Sequence, residues 1–154
     1  KPNVDTLKKL VTKKAATIIK DNRIIEFTTN YTAGRYELYY MKHFLVHINS
    51  DKAIEQFNTI ALPQHDVEEI VSIKARTISP SGKIANLDRN VDFKKIDNYE
   101  NSGPFVIFAM PQVEIGSYIE YLYTFRKSFS AGGTEYYRST HPVLEAEVAF
   151  YCSE

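Results

Sequence analysis

The sequence predicts an all-β protein, an antiparallel β-sandwich of roughly ten strands with little helix. Three observations point there. Long stretches alternate apolar and polar residues with period two, the pattern of a strand with one buried face. Proline, glycine and short polar turn residues punctuate the chain between those stretches. No helical segment is long enough to cover a parallel sheet, so the strands must bury their apolar faces against one another. The 154 residues suit one domain, 1–154, with a proper core.

Taken in order, residues 1–14 read as a linker or a short helix. Within them, residues 5–14 place Leu7, Leu10 and Val11 on one side. Residues 15–19 and 24–27 read as two strands flanking a turn at Lys20-Asp21-Asn22-Arg23. Residues 36–48 form the longest alternating stretch. Tyr36, Leu38, Tyr40, Phe44, Val46 and Ile48 share one face, with Lys42 as the exception. Glu37, Tyr39, Met41, His43 and His47 share the other. Residues 69–78 are rich in β-branched side chains and lead into Ser79-Pro80-Ser81-Gly82. Pro80 suits the second position of a type I turn and Gly82 the fourth, so residues 83–87 return as a hairpin.

Residues 105–110 are wholly apolar, bounded by Gly103-Pro104 and Pro111, and read as a strand covered on both faces. Residues 118–129 alternate again. Ala131-Gly132-Gly133 turns them into residues 134–140, a second hairpin. After Pro142, residues 143–151 close the chain as a strand. Residues 96–104 are the polar loop.

Composition excludes several function classes. Hydrophobic residues make up 44% and charged residues 25%, which is a globular and not a disordered chain. Lysine plus arginine equal aspartate plus glutamate at 19 each, so no basic field draws nucleic acid. The local run Lys8, Lys9, Lys13 and Lys14 reads as a solvated face. The longest apolar run, residues 105–110, is far short of the about 20 residues that cross a bilayer as a helix. With Cys152 as the one cysteine, no intrachain disulfide forms; a reducing cytosol fits this, and so does a disulfide-free envelope protein. A sequence opening at Lys1 reads as part of a longer protein whose address signal lies elsewhere.

Few residues carry reactive chemistry, and no cofactor or metal is expected. His43 and His47 have the spacing of a helical zinc pair, but Phe44 stands where the general-base glutamate of that motif belongs. On a strand, four residues span about 13 Å, too far for two imidazoles to share one ion. Both histidines are read as facing outward with no ligand role. Cys152 with His141 and Asp97 makes a nominal triad, but a cysteine at the end of a strand lacks the cationic surroundings that make a thiolate. Glu114 and Glu120 are the carboxylates nearest a recognisable motif, and no acid–base partner for either is evident. Asn30-Tyr31-Thr32 matches a glycosylation sequon, a motif too short to weigh. The 11 tyrosines are the remaining feature: Tyr36, Tyr39 and Tyr40 cluster as a candidate binding surface, as do Tyr118, Tyr121, Tyr123, Tyr136 and Tyr137.

The region from about residue 57 to 151 resembles a family of domains of unknown function. Those domains sit immediately N-terminal to transglutaminase-like, papain-fold domains in bacterial envelope proteins. The resemblance lies in pieces in the right order: residues 69–78 running into Pro80-Ser81-Gly82; the short apolar strand ending at Pro111; Glu114-Ile115-Gly116-Ser117-Tyr118-Ile119-Glu120-Tyr121-Leu122-Tyr123; and the strand break Thr140-His141-Pro142-Val143. Ser81 and Ser117 stand where the family commonly has aspartate. The resemblance implies an immunoglobulin-like sandwich and a periplasmic, cell-surface or extracellular setting. It further implies an accessory, non-catalytic role for this chain, with a C-terminal transglutaminase-like domain of the same protein as partner. A glycan or peptide ligand is the alternative.

Overall fold

The computed structural model describes residues 14–87, 93–97, 103–129, 135 and 139–152. The expected helix at 5–14 lies outside them except for Lys14, as do the turn at 131–133 and most of the expected return strand at 134–140, Tyr136 and Tyr137 included.

Strand β1 (Ala16–Asn30) pairs antiparallel with β2 (Arg35–Ile48) from Ala16↔Ile48 to Asn30↔Arg35, with one bulge between Ile18 and Lys20. This corrects the reading of a turn at Lys20-Asp21-Asn22-Arg23. The strand runs straight through those four residues. The real turn follows Asn30, whose Oδ1 accepts the Ala33 N–H at 2.9 Å, and it closes at Gly34 with φ of 62°.

Helix α1 (Asp51–Phe57) comes next and was not read from the sequence. It has seven residues, too few for a helical period to show against the flanking strands. Its Ala53 is buried, and Ile54 and Phe57 pack on the core. There follow β3 (Thr59–Pro63), β4 (Val67–Ile78), β5 (Ile84–Asn86), β6 (Lys94–Ile96), β7 (Phe105–Ala109), β8 (Tyr118–Lys127) and β9 (Ala146–Cys152). The β4–β5 hairpin turns where expected: Gly82 N–H donates to Ser79 O at 2.9 Å, which puts Pro80 second and Gly82 fourth.

The strands form two antiparallel-rich sheets of unequal size. The larger has the order β5-β4-β8-β2-β1-β9 and the smaller β3-β7-β6. Nine strands lie among the described residues, against the roughly ten expected from turn spacing. One pair departs from the antiparallel rule: β9 runs parallel to β1, from Asp21↔Ala146 to Phe27↔Cys152.

One core takes residues from both sheets. Ile18, Phe44, Val46, Ile48, Ile73, Ile119, Tyr121 and Phe125 of the large sheet cluster with Ile60, Leu62, Val106 and Phe108 of the small one. The alternation seen in the sequence is the reason: odd residues of β8 and even residues of β2 face this core. The opposite, outer face holds a second cluster of Ile19, Leu45, Ile78 and Tyr118, so the end of β2 from Phe44 to Ile48 is buried on both sides. In β7 only Val106 and Phe108 are buried, whereas Ala109 is exposed; the strand is covered on one face, not two.

Candidate functional site

The motif residues of the sequence meet in space. Glu114 O accepts the Ser117 N–H at 3.0 Å, closing a tight turn with Gly116 third at φ of 87°, the conformation that turn type requires. Ser117 is fully buried, and its Oγ accepts the Glu114 N–H at 3.2 Å, a role an aspartate carboxylate would fill equally. Gly116 N–H donates to Ile48 O at 2.7 Å, which anchors the turn to the end of β2. A Cβ added to Gly116 would sit 3.0 Å from Pro80 Cγ, so the Pro80–Gly82 turn and the Glu114–Ser117 turn touch. Pro111 opens the turn between β7 and this segment, Ile119 is fully buried in the core, and Glu114 is exposed. Pro80, Gly82, Pro111, Glu114, Gly116 and Ile119 therefore hold backbone and core in place.

Glu120 is different. β8 lies between β4 and β2, and its alternation sends Tyr121 and Tyr123 inward and Glu120 outward. Register places Arg76 of β4 opposite Glu120, and His43 of β2 one step away, opposite Leu122. Arg76 Nε donates to Glu120 Oε2 at 2.6 Å, and His43 Nε2 lies 2.8 Å from Oε1. The hydrogen bond from His43, then those from Arg76, hold the Glu120 carboxyl below its ordinary range against the opposing effect of burial. The sequence reading found no partner for Glu120; the structure supplies two. Strand pairing across three strands brings them together, and no spacing along the chain reveals that. These groups border an open cavity of about 380 Å³ with Lys74, Asn86 and Leu122.

The tyrosine cluster splits. Tyr40 faces the core side, its ring stacked on Tyr123 at 6.1 Å and its hydroxyl donating to Glu135 Oε2 at 3.3 Å. Burial, followed by the neighbouring Tyr123 and Glu135, raises its hydroxyl well above the ordinary tyrosine range. Tyr39 faces the other way and donates to Glu37 Oε2 at 3.0 Å. Tyr36 is 65% exposed and packs on Phe129, itself 49% exposed, at 5.5 Å between ring centres. Phe27 meets Phe129 edge-on at 6.1 Å. The adjoining edge strand β9 ends in Phe150, 64% exposed, and Tyr151, 56% exposed. The exposed aromatic cluster is therefore Tyr36 with Phe129, not Tyr36, Tyr39 and Tyr40; on β9 strand alternation turns Phe150 to the face of Tyr36 and Tyr151 to the opposite one.

Beside Tyr40, the polar residues first read as a turn form a buried ionic cluster. Arg23 donates through Nη2 to Asp21 at 3.0 Å and through Nη1 to Glu135 at 2.6 Å. Lys42 Nζ reaches Asp21 at 3.1 Å and lies over the Phe44 ring. Burial would raise the Asp21 carboxyl, but Arg23 and Lys42 pull it below its ordinary value, so it stays ionised as their counter-ion. This accounts for Lys42, the exception on an apolar face.

The two strand histidines share a face but not a fate. His43 is half-buried on Glu120, whereas His47, expected to face outward, is buried against Tyr118 at 4.5 Å with Nδ1 on Asn49. Burial holds its imidazole below the ordinary pKa. Among the described residues no three His, Cys, Asp or Glu side chains gather as a metal site. The nominal triad is scattered. His141 contacts Gln56 at 2.9 Å near the Ile18 end of β1, while Cys152 pairs with Phe27, nine residues and about 30 Å further along that strand.

Comparison with family models matches residues 34–152 to a domain of unknown function with a solved structure, DUF3857. Comparison with curated proteins finds no match. Among solved structures, the chain is similar to one described as a "putative protease" from Parabacteroides distasonis, with a TM-score of 0.66 and 15% identity. The similarity covers 93% of this chain and 30% of that one, so the chain spans less than a third of that protein's length.

Proposed function

We propose, for a chain that belongs to the DUF3857 family, a role as a non-catalytic interaction module of a larger bacterial envelope protein, periplasmic or cell-surface, that packs against a C-terminal transglutaminase-like domain. The observation that carries this reading is the exposed aromatic pair Tyr36 and Phe129 beside the β1–β2 hairpin, with Phe150 exposed on the same face of the edge strand β9. Large aromatics left exposed side by side suit a place where another surface docks. The solved neighbour adds support, since the matched part is a minor fraction of a protein described in catalytic terms. On this reading the two sheets form an immunoglobulin-like sandwich that displays β9, and any reactive cysteine belongs to the domain that follows.

The test is the full gene product. A transglutaminase-like domain should follow Glu154, and hydrogen exchange at β9 and around Phe129 should slow in the two-domain protein relative to the isolated chain. Contacts of this type bury about 600–1,500 Å². A different neighbour, or equal exchange in both proteins, would sink the proposal. A second reading, an envelope glycan or peptide stacked on Tyr36 and Phe129, is favoured by the exposure of that ring pair. Quenching of tyrosine fluorescence by an oligosaccharide or peptide series, lost in Tyr36→Ala, would establish it instead.

A further inference from the structure

We propose that the outer face of the six-stranded sheet carries a binding site for the free C-terminal carboxylate of a short peptide, seated on Lys74, Arg76 and Asn86. The site lies on the face of β2 and β8 opposite Tyr36 and Tyr40, so it does not rest on the docking reading above.

The argument is an inventory of donors and acceptors. Lys74 and Arg76 stand two apart on β4 and so share one face about 7 Å apart, the span of a carboxylate with its hydrogen bonds. Asn86 of β5 is directly opposite Arg76 in the register. Arg76 uses Nε and Nη2 on Glu120, at 2.6 and 2.5 Å, leaving Nη1 for a ligand. The lining carboxylate, Glu120, is engaged on both oxygens, by His43 and by Arg76. The cavity therefore offers an ammonium, a guanidinium edge and an amide, while its carboxylate is already engaged on Oε1 by His43 and twice on Oε2 by Arg76. An occupant that brings acceptors matches the Lys74 and Arg76 cations, and a negatively charged one matches them best.

Beside these donors Leu122 is 38% exposed, on the same face of β8 as Glu120. A ligand that joins an anion to a small apolar group fits both features, and a peptide C-terminus is that combination. Sugars are the weaker match, because the aromatic at this cavity, Tyr121, is turned into the core and offers no ring to stack on. The volume of about 380 Å³ is at the lower end for small-ligand pockets, suiting two or three residues. Glu120 and His43 act as positioning residues: they fix the Arg76 guanidinium before the ligand arrives, which lowers the ordering cost of binding.

The experiment is a titration of the ¹⁵N-labelled chain with N-acetyl-alanyl-alanine, its C-terminal amide and inorganic phosphate. The acid should produce saturable shifts at the backbone amides of Lys74, Arg76, Asn86 and Leu122, and the amide should produce none. Lys74→Gln and Asn86→Ala, both at exposed positions, should each weaken the acid by about tenfold, the loss of one charge-assisted hydrogen bond, while the rest of the spectrum stays unchanged. No shift at about 10 mM acid overturns the site. Equal shifts from acid and amide remove the carboxylate. Phosphate acting as strongly as the acid on the same residues overturns the peptide assignment in favour of a general anion site.

Discussion

At the scale of single residues, Gly116 and Glu120 are neighbours in one motif with different duties. Gly116 is held at φ of 87°, and a Cβ there would crowd Pro80 Cγ at 3.0 Å. Gly116→Val should therefore cost roughly 1–3 kcal/mol in urea denaturation. If the crowding contributes, Pro80→Ala combined with Gly116→Val should cost less than the two single changes added together. An unchanged midpoint in Gly116→Val would remove the claim.

Glu120 predicts a pH dependence. Its folded pKa lies below the ordinary 4.5, so the folded state binds its proton less readily than the unfolded chain does. Stability from this group is fully present above about pH 4.5 and is lost as pH falls through the folded value. Glu120→Gln should flatten that part of the acid limb in stability measurements made at a series of pH values. Superposable acid limbs for the two proteins would show that the Arg76 and His43 contacts contribute nothing.

At the scale of elements, β1 shows where sequence and structure part. The motif turns, the β4–β5 hairpin and the alternation of β2 and β8 are all local patterns, and they read correctly. Lys20-Asp21-Asn22-Arg23 reads as a turn because polar residues break an apolar stretch. In the sheet the same residues continue the strand, because Asp21 finds Lys42 across the hairpin and Arg23 finds Glu135 from far along the chain. Partners of that kind are set by register and stay invisible to a window of neighbours. The same reason hid the His43–Glu120–Arg76 group.

The cluster can be tested by asymmetry. Asp21→Ala takes their shared counter-ion from Lys42 and Arg23, leaving Arg23 on Glu135 and Lys42 buried without that carboxylate, and should cost about 3 kcal/mol. Lys42→Met leaves Asp21 with Arg23 and replaces a buried ammonium with an apolar chain of similar length, so it should cost much less. Equal losses from the two variants would contradict the assignment of Asp21 as the hub.

At the scale of the whole molecule, the division of labour between faces decides what this chain can do. The inner face of the large sheet is committed to the shared core, and its outer face carries the polar groups around Glu120. Tyr36 and Phe129 lie at the hairpin end, and β9 with Phe150 and Tyr151 closes the sheet as an edge. An exposed edge strand with a large aromatic on each face is a liability for a protein that stands alone. Covering it with a neighbouring domain resolves that liability, and this yields a prediction with two arms. Phe150→Ser and Tyr151→Ser should leave the melting behaviour of the isolated chain within about 0.5 kcal/mol of the parent, since both side chains face solvent there. In the full-length protein the same changes should speed hydrogen exchange at β9 and detach the module, seen as a larger radius in small-angle scattering. A loss of 2 kcal/mol or so in the isolated chain would mean that these rings belong to its own packing. The aromatic surface would then be no docking site, however the neighbouring domain behaves.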